Sequence, residues 1–348
     1  MLMHAHSMFQ QYIYGKVVSM KCIDTSHCET DQRFTYILTT DLNEEVVIKF
    51  SNNTFTTPER VKGWSQLIDL YNNLGIYAPK ILMDKNHHLC NEYVENGEKY
   101  IVYAEEKKKY KSTDELGISC NDDTLYFEDM VAATAKVAKY STQLPTWKSA
   151  WCLYDQHCID DETDETVYWQ KTFYNLILNE MPIYGERAKR IYHRFLDTYK
   201  SFEMQYRTLP QAFFQGDIGG LNTLLDENKK FVGVLDFNLA GAETNLNYFF
   251  QQFCRVTIKK DELPYLNDRE LRHNQDKAMR KRLDVVKKYY KFNRAEIEAF
   301  PTYYKIVYPL QCDNCQKFIP MIYEKNIPVL KLILDWIEYQ QTRNDILL

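Results

Sequence analysis

From residue 16 to residue 50 strand-like apolar runs alternate with polar turns, and through most of the second half apolar side chains recur at every third or fourth position. Residues 17–23, 33–38 and 46–50 are strand-like runs separated by polar turns, which predicts an antiparallel meander, with residues 41–45 as the hairpin between its second and third strands. Residues 1–11 carry little pattern and read as a capping helix or a loose arm. Thr57-Pro58-Glu59 is a helix start, with a hydroxyl cap, a proline at the first helical position and an acid in the first turn. Val61, Trp64, Leu67, Ile68 and Tyr71 form the buried stripe of that helix, which runs to Leu74 and stops at Gly75. Residues 99–106 read as a further strand.

Past residue 106 the period changes to that of helices. The lysine-rich run 107–111 reads as a solvated linker, and residues 123–142 as a helix ending before Pro145. Residues 155–165 form an acidic stretch that reads as a surface loop, or as part of a site for a cationic ligand. Helices are expected over 167–180, 183–206, 245–256, 268–293, 294–308 and 328–342, the fourth of them highly charged and solvent-facing. Neither an internal repeat nor a low-complexity tract interrupts this order.

One stretch combines strand pattern with chemistry. Phe213-Phe214-Gln215-Gly216-Asp217-Ile218-Gly219-Gly220-Leu221-Asn222 is followed by Phe231-Val232-Gly233-Val234-Leu235-Asp236-Phe237. Two apolar runs joined by the polar hairpin 226–230 read as buried strands that bring Asp217, Asn222 and Asp236 to one end of a small sheet. Mg²⁺ takes oxygen ligands from one or two carboxylates together with water and phosphate, so Asn222 and Asp236 suit it. Asp217, five residues before the asparagine, is placed to orient a hydroxyl and accept its proton.

This Asp-x4-Asn followed by a hairpin, a hydrophobic pair and Asp closely resembles the catalytic loop and metal-binding Asp of the aminoglycoside phosphotransferase and choline kinase branch of the protein-kinase-like fold. Gln215 stands where that family usually has His, and Gly219 where many members have a second His. The first change is expected to weaken packing under the metal loop, and neither removes a ligand. The resemblance implies an α+β, bilobal fold, with an antiparallel-sheet nucleotide lobe over residues 1–104 and a mainly helical lobe over 105–348 that carries the catalytic loop and acceptor site.

It further implies that Lys49, on the third strand, meets the nucleotide phosphates, since a lysine in an apolar strand is costly unless an anion faces it. The first turn, residues 24–32, lacks glycine, and hydroxyls such as Ser26 replace a glycine-rich loop as phosphate donors. Glu59 is the candidate partner of Lys49 on the first long helix. Residues 75–82 match the family's approach to its fourth strand, and adenine is expected against backbone near Tyr103, Ala104 and Glu106.

The implied function is a Mg²⁺-dependent small-molecule kinase moving the γ-phosphate of ATP, or GTP, to a hydroxyl of an aminoglycoside-like or other small alcohol, cationic ones included. The alternatives are a catalytically silent kinase-like nucleotide-binding protein and, more remotely, a metal-dependent hydrolase. A protein kinase is disfavoured, because there is no glycine-rich loop, no Lys two residues after Asp217 and no Ala-Pro-Glu signature after Asp236.

Composition narrows this little. The 348 residues suffice for two cores, and 45% hydrophobic with 26% charged residues is ordinary for a globular chain. A formal charge of −5 and a pI near 6.0 give no basic footprint for nucleic acid. Nine cysteines, an odd count without dense spacing, point to free thiols in a reducing compartment. Cys312-Asp-Asn-Cys315 has the spacing of half a zinc site, with no second half following. There is no signal-peptide pattern and no apolar run of bilayer length, so a cytoplasmic protein without membrane partners is expected; oligomeric state is left open.

Overall fold

Burial along the second and third strands alternates, and the helix that precedes them explains why. The computed structural model describes residues 5–118, 126–140, 144–158, 161–346 and 348. In it, α1 (His6–Tyr12) leads into β1 (Val17–Asp24), β2 (Gln32–Thr40) and β3 (Glu45–Asn52). Phe34, Tyr36 and Leu38 of β2 and Val46, Ile48 and Phe50 of β3 share one buried face, and Met8, Phe9, Tyr12 and Ile13 cover it. The Phe9 ring lies 5.1 Å from Tyr36 and 6.2 Å from Phe50, and the Tyr12 hydroxyl donates to the Val102 carbonyl at 3.0 Å. Of the two readings of residues 1–11, the capping helix is the one observed from His6 on, residues 1–4 lying outside the described residues. With that face covered, Thr35, Lys49 and Ser51 turn to the other.

Helix α2 (Pro58–Asn73) begins as its sequence predicts, with Thr57 Oγ1 accepting the Arg60 N–H. Three strands follow, β4 (Ile81–Leu82), β5 (Cys90–Glu95) and β6 (Glu98–Glu106). The sheet order is β1-β2-β3-β6-β4, with β5 also on β6, and every pairing is antiparallel. Strand β5 lacked a sequence signal because its Cys-Asn-Glu-Tyr-Val-Glu run is mostly half-exposed.

Next come β7 (Lys111–Ser112) and α3 (Phe127–Val137); residues 123–125 and 141–142 of the helix expected over 123–142 lie outside the described residues. The later segment passes through β8 (Gln211–Phe214) to β9 (Thr223–Leu225) and β10 (Phe231–Val234), which form a three-stranded sheet in the order β10-β9-β7. The partner of β10 is therefore β9, after the Asp217–Asn222 loop, and not the 213–214 run. That run pairs instead with β11 (Gly241–Thr244), because the chain turns at Gly216 before it can continue as a strand.

Contacts gather the chain into two compact units. The first comprises Met1–Val137, Cys158–Asp160 and Phe214–Ala240, and the second Ala138–His157, Asp161–Phe213 and Gly241–Leu348. The catalytic stretch read from the sequence thus packs with the N-terminal sheet.

The second unit is mainly helical: α4 (Glu165–Glu180), α5 (Gly185–Arg207), α6 (Asn245–Phe249), α7 (Arg269–Tyr289), α8 (Arg294–Val307), α9 (Cys312–Tyr323) and α10 (Ile327–Thr342). Its core is aromatic, with Phe250 against Phe300, Tyr303, Tyr304 and Tyr308, and Trp336 against Tyr308 and Phe318. Three expectations change here. The acidic stretch 155–165 ends as a helix start, with Asp164 Oδ1 accepting the Val167 N–H at 3.0 Å; its residues 159–160 lie outside the described residues. The helix expected over 245–256 gives way after Phe249 to a π-helical turn, Phe250–Cys254. Cys312 and Cys315 sit one turn apart at the start of α9, where the buried Cys315 thiol donates to the Leu310 carbonyl.

Among the described residues all cysteines are free thiols, and no helix is long and apolar enough to cross a membrane.

Candidate functional site

Gly216 opens the loop that carries Asp217. Its φ is +95°, and a Cβ there would lie 2.2 Å from the Leu239 carbonyl oxygen, so both conformation and space demand glycine. Gln215 is wholly buried and joins three segments. Its Oε1 accepts the Asp217 N–H at 2.8 Å, and its Nε2 donates to the carbonyls of Leu235 (2.7 Å) and Asp236 (2.5 Å). Its backbone N–H donates to the Tyr71 hydroxyl on α2 at 3.2 Å. The expectation that Gln215 weakens this packing is overturned: an amide has both a donor and an acceptor, and here each is used.

Asp236 leaves β10 with φ +55°, a left-handed conformation that is uncommon for any residue but glycine and concentrates at functional sites. Its side chain is 41% exposed. Leu235 N–H donates to the Asn222 carbonyl at 2.8 Å, which ties the two loops side by side. The Asn222 side chain donates from Nδ2 to the Asp217 carbonyl and to Asp217 Oδ2, each at 3.0 Å. Its remaining polar atom, Oδ1, is the one able to face a cation.

Lys49 reaches this group from β3. Its Nζ lies 3.0 Å from Glu105 Oε1, 3.7 Å from Asp236 Oδ1 and 5.8 Å from the Tyr103 ring centroid. Burial alone would depress the ammonium's pKa; Glu105 and then Asp236 outweigh it and hold the pKa well above its usual value. Glu105 is shifted up, first by burial and then by Asp236, more than Lys49 draws it down. One ammonium cannot neutralise both acids. With Asp217 added, the corner carries excess negative charge, which suits a divalent cation.

Lys49, Asp217, Asn222 and Asp236 all line one cavity of about 670 Å³ in the first unit. The four strongest expectations from the sequence therefore converge. Among the described residues no group of three or more His, Cys, Asp or Glu side chains gathers to hold a metal. A cation at Asp236 and Asn222 would thus need oxygens from a ligand, as Mg²⁺ commonly does.

The other candidates fare differently. Glu59 is exposed in the first turn of α2, and the acid beside Lys49 is Glu105. The reason is register: Lys49 faces Tyr103 across the β3–β6 ladder, and Glu105, two residues on, shares its face. Ser26 lies in the exposed β1–β2 connection, where its Oγ accepts the Arg33 N–H at 3.0 Å, while its neighbours Thr25 and His27 line the cavity. Tyr103 lines the cavity too. Ala104 lies in the interior of β6, between Ile48 and Leu82, and the Glu106 N–H donates to the Lys80 carbonyl at 2.9 Å, so it is not free to bind adenine.

Arg33, which the sequence reading passed over, also lines the cavity. It is the cross-strand neighbour of Ser51 and hence shares a face with Lys49. Asp31 grips its guanidinium through Nε (2.7 Å) and Nη2 (2.5 Å), Asn53 steadies Asp31 at 3.0 Å, and the Phe55 ring lies 4.9 Å below. The available signal was a charged residue at an alternate position of an otherwise apolar strand.

No protein-family model matches the chain, and no curated protein does either. Solved structures do. An amicoumacin kinase in complex with AMP-PNP, Ca²⁺ and Ami aligns over 96% of this chain and 92% of its own, at 10% identity and a TM-score of 0.54. A microcompartment-associated aminopropanol kinase aligns over 97% and 98%, at 9% identity and a TM-score of 0.51. An aminoglycoside phosphotransferase from Alicyclobacillus acidocaldarius covers 95% of each chain at 11% identity, and its TM-score of 0.46 adds no weight. At such identities the likeness speaks to fold. With its antiparallel N-terminal sheet and helical C-terminal region, the chain has the protein-kinase-like fold of these small-molecule kinases.

Proposed function

We propose that this chain is a small-molecule kinase that moves the γ-phosphate of ATP or GTP to a hydroxyl of a small acceptor in a Mg²⁺-dependent reaction. The observation that carries this reading is the meeting of Lys49, Asp217, Asn222 and Asp236 on one cavity, with Asp236 held at positive φ. Phosphoryl transfer asks little covalent chemistry of a protein and depends on positioning and charge. Lys49 meets the α- and β-phosphates, and Asp236 with Asn222 Oδ1 would hold Mg²⁺, which offsets charge on the transferring group when bound. Asp217 aligns the acceptor hydroxyl and takes its proton at a carboxylate oxygen; the Asn222 amide holds that carboxylate in place.

In this reading Glu105, rather than Glu59, orients Lys49. The purine edge falls to backbone other than the Glu106 N–H, which is already given to Lys80. A cytoplasmic setting is part of this reading. A nucleotide-consumption screen over hydroxylated amines, amino sugars and neutral sugars with Mg²⁺ tests the activity. Turnover with one acceptor supports it, and slow hydrolysis or silence with all of them favours a nucleotide-binding role without transfer.

Arg33 enters as a second cation for the phosphate chain. Asp31 holds one edge of the guanidinium, which leaves Nη1 to donate toward the cavity. Arg33→Gln is expected to weaken ATP binding about tenfold, the scale of one lost charge-assisted hydrogen bond, while adenosine binding is unchanged. Calorimetric titration with both ligands checks this, and an equal loss for adenosine would assign Arg33 to loop structure alone.

A further inference from the structure

The Cys312-Asp313-Asn314-Cys315 run has no second pair to complete a zinc site, and its two thiols are set differently. Both occupy the first turn of α9, with Cys312 half-buried on a cleft that opens to solvent and Cys315 wholly buried. Between them Asp313 pairs with Arg255 at 3.0 Å, while Asn314 accepts the Ile258 N–H and donates to the Tyr308 carbonyl, each at 3.2 Å, so the turn is held in place. Residues three apart on an α-helix have Cα atoms about 5 Å apart, inside the range a disulfide bridges. Their Cβ atoms, at about 5–6 Å, need to close by about 1–2 Å. A first turn allows this by passing to the narrower 3₁₀ form, in which such side chains eclipse, and the Asn314 N–H already makes the short bond of that form to the Gln311 carbonyl at 3.0 Å.

We infer that Cys312 and Cys315 form a thiol–disulfide exchange site for small disulfides, with Cys312 as the attacking thiol and Cys315 as the resolving one. Cys312, once deprotonated, attacks one sulfur of a disulfide such as oxidised glutathione; that S–S bond breaks, and one glutathione leaves as thiolate and takes up a proton. Cys315 then gives up its proton and attacks the Cys312 sulfur of the mixed disulfide, forming the Cys312–Cys315 bond and expelling the second glutathione. The protein loses two electrons and two protons, and oxidised glutathione gains both. Bond formation withdraws the Cys315 thiol from the Leu310 carbonyl, and Gln311 Nε2, buried without a protein partner, stands on the next residue to replace it. Burial, then Glu165 and Asp313, push the Cys312 thiol up to about 11 against Arg255 and the Gln316 amide, and burial followed by Cys312 and Glu165 pushes Cys315 well above the usual thiol range. Exchange is therefore slow near neutrality and quickens about tenfold per pH unit. Thiols so poorly stabilised as thiolates are also poor leaving groups, so the disulfide, once formed, resists reduction.

The exchange needs no nucleotide, so its test is independent of the phosphotransfer reading. The full chain is incubated with oxidised glutathione at pH 7, 8 and 9 and digested with trypsin, which releases residues 306–317 with Cys312 and Cys315 as their only cysteines. The peptide is expected lighter by two hydrogens and free of glutathione, formed about tenfold faster for each pH unit and restored by dithiothreitol. Cys315→Ser should instead accumulate one glutathione at Cys312, and Cys312→Ser should leave Cys315 unmodified. Exposed Cys28 should take glutathione in every case, which shows the reagent to be competent. Glutathione adducts without the internal bond in wild type would overturn the inference. So would a 306–317 peptide that stays unmodified while Cys28 reacts.

Discussion

Asp217→Asn is expected to lower kcat by about two to four orders of magnitude, the usual contribution of a general base, and to leave nucleotide affinity within about twofold. The substitution is nearly isosteric and keeps an oxygen that can accept from Asn222 Nδ2, so the loop geometry survives. What it removes is the ability to take a proton from the acceptor hydroxyl. Single-turnover kinetics with an acceptor found by screening, beside equilibrium titration with a nonhydrolysable nucleotide, separate the two quantities. An unchanged kcat would take Asp217 out of this role. A parallel collapse of nucleotide affinity would instead make it a structural support of the metal corner.

Gln215→Leu is expected to produce the largest loss of stability in the first unit. Leucine nearly matches the volume and removes both polar partners, so the Asp217 N–H and the carbonyls of Leu235 and Asp236, all part-buried, lose the Gln215 amide. A lost hydrogen bond at a part-buried group costs about 1 kcal/mol, so a loss of about 3 kcal/mol follows for the three, seen as an apparent Tm lowered by about 10 °C. Gln215→His, which restores the residue of the family the sequence resembles, keeps a donor and an acceptor and should lose far less. Thermal melts of the two variants decide this. Equal Tm values for Gln215→Leu and wild type would mean that the bridge between the two loops contributes nothing.

Much of the fold was legible because its signals are local. Alternation over β2 and β3, the Thr57-Pro58 start of α2, and the turn-bounded runs that bring Asp217, Asn222 and Asp236 to one cavity are each signalled within a few residues. What escaped depends on register or on distant packing. Glu105 became the neighbour of Lys49 only once β3 and β6 were aligned; Glu59 was the candidate on α2 although the expected spacing falls near Ser65 or Gln66, where no acid stands. Gln215 was read as a defect because its three partners come from residues two to twenty-one positions away, and a single string does not reveal that its amide matches their geometry. The half-exposed β5 had a weak pattern of its own, and the π-helical turn after Phe249 keeps a helix-like apolar rhythm that hides the extra residue.

The measurement closest to the heart of the account is calorimetric titration of AMP-PNP into wild type and Asp236→Ala, each with Mg²⁺ and with EDTA. Wild type should bind at least about tenfold more tightly with Mg²⁺ than without it, and Asp236→Ala should bind weakly in both conditions, as expected for a carboxylate that holds the metal against the phosphates. Equal affinities for wild type and Asp236→Ala in Mg²⁺ would contradict the assignment of this cavity to a metal-bound nucleotide.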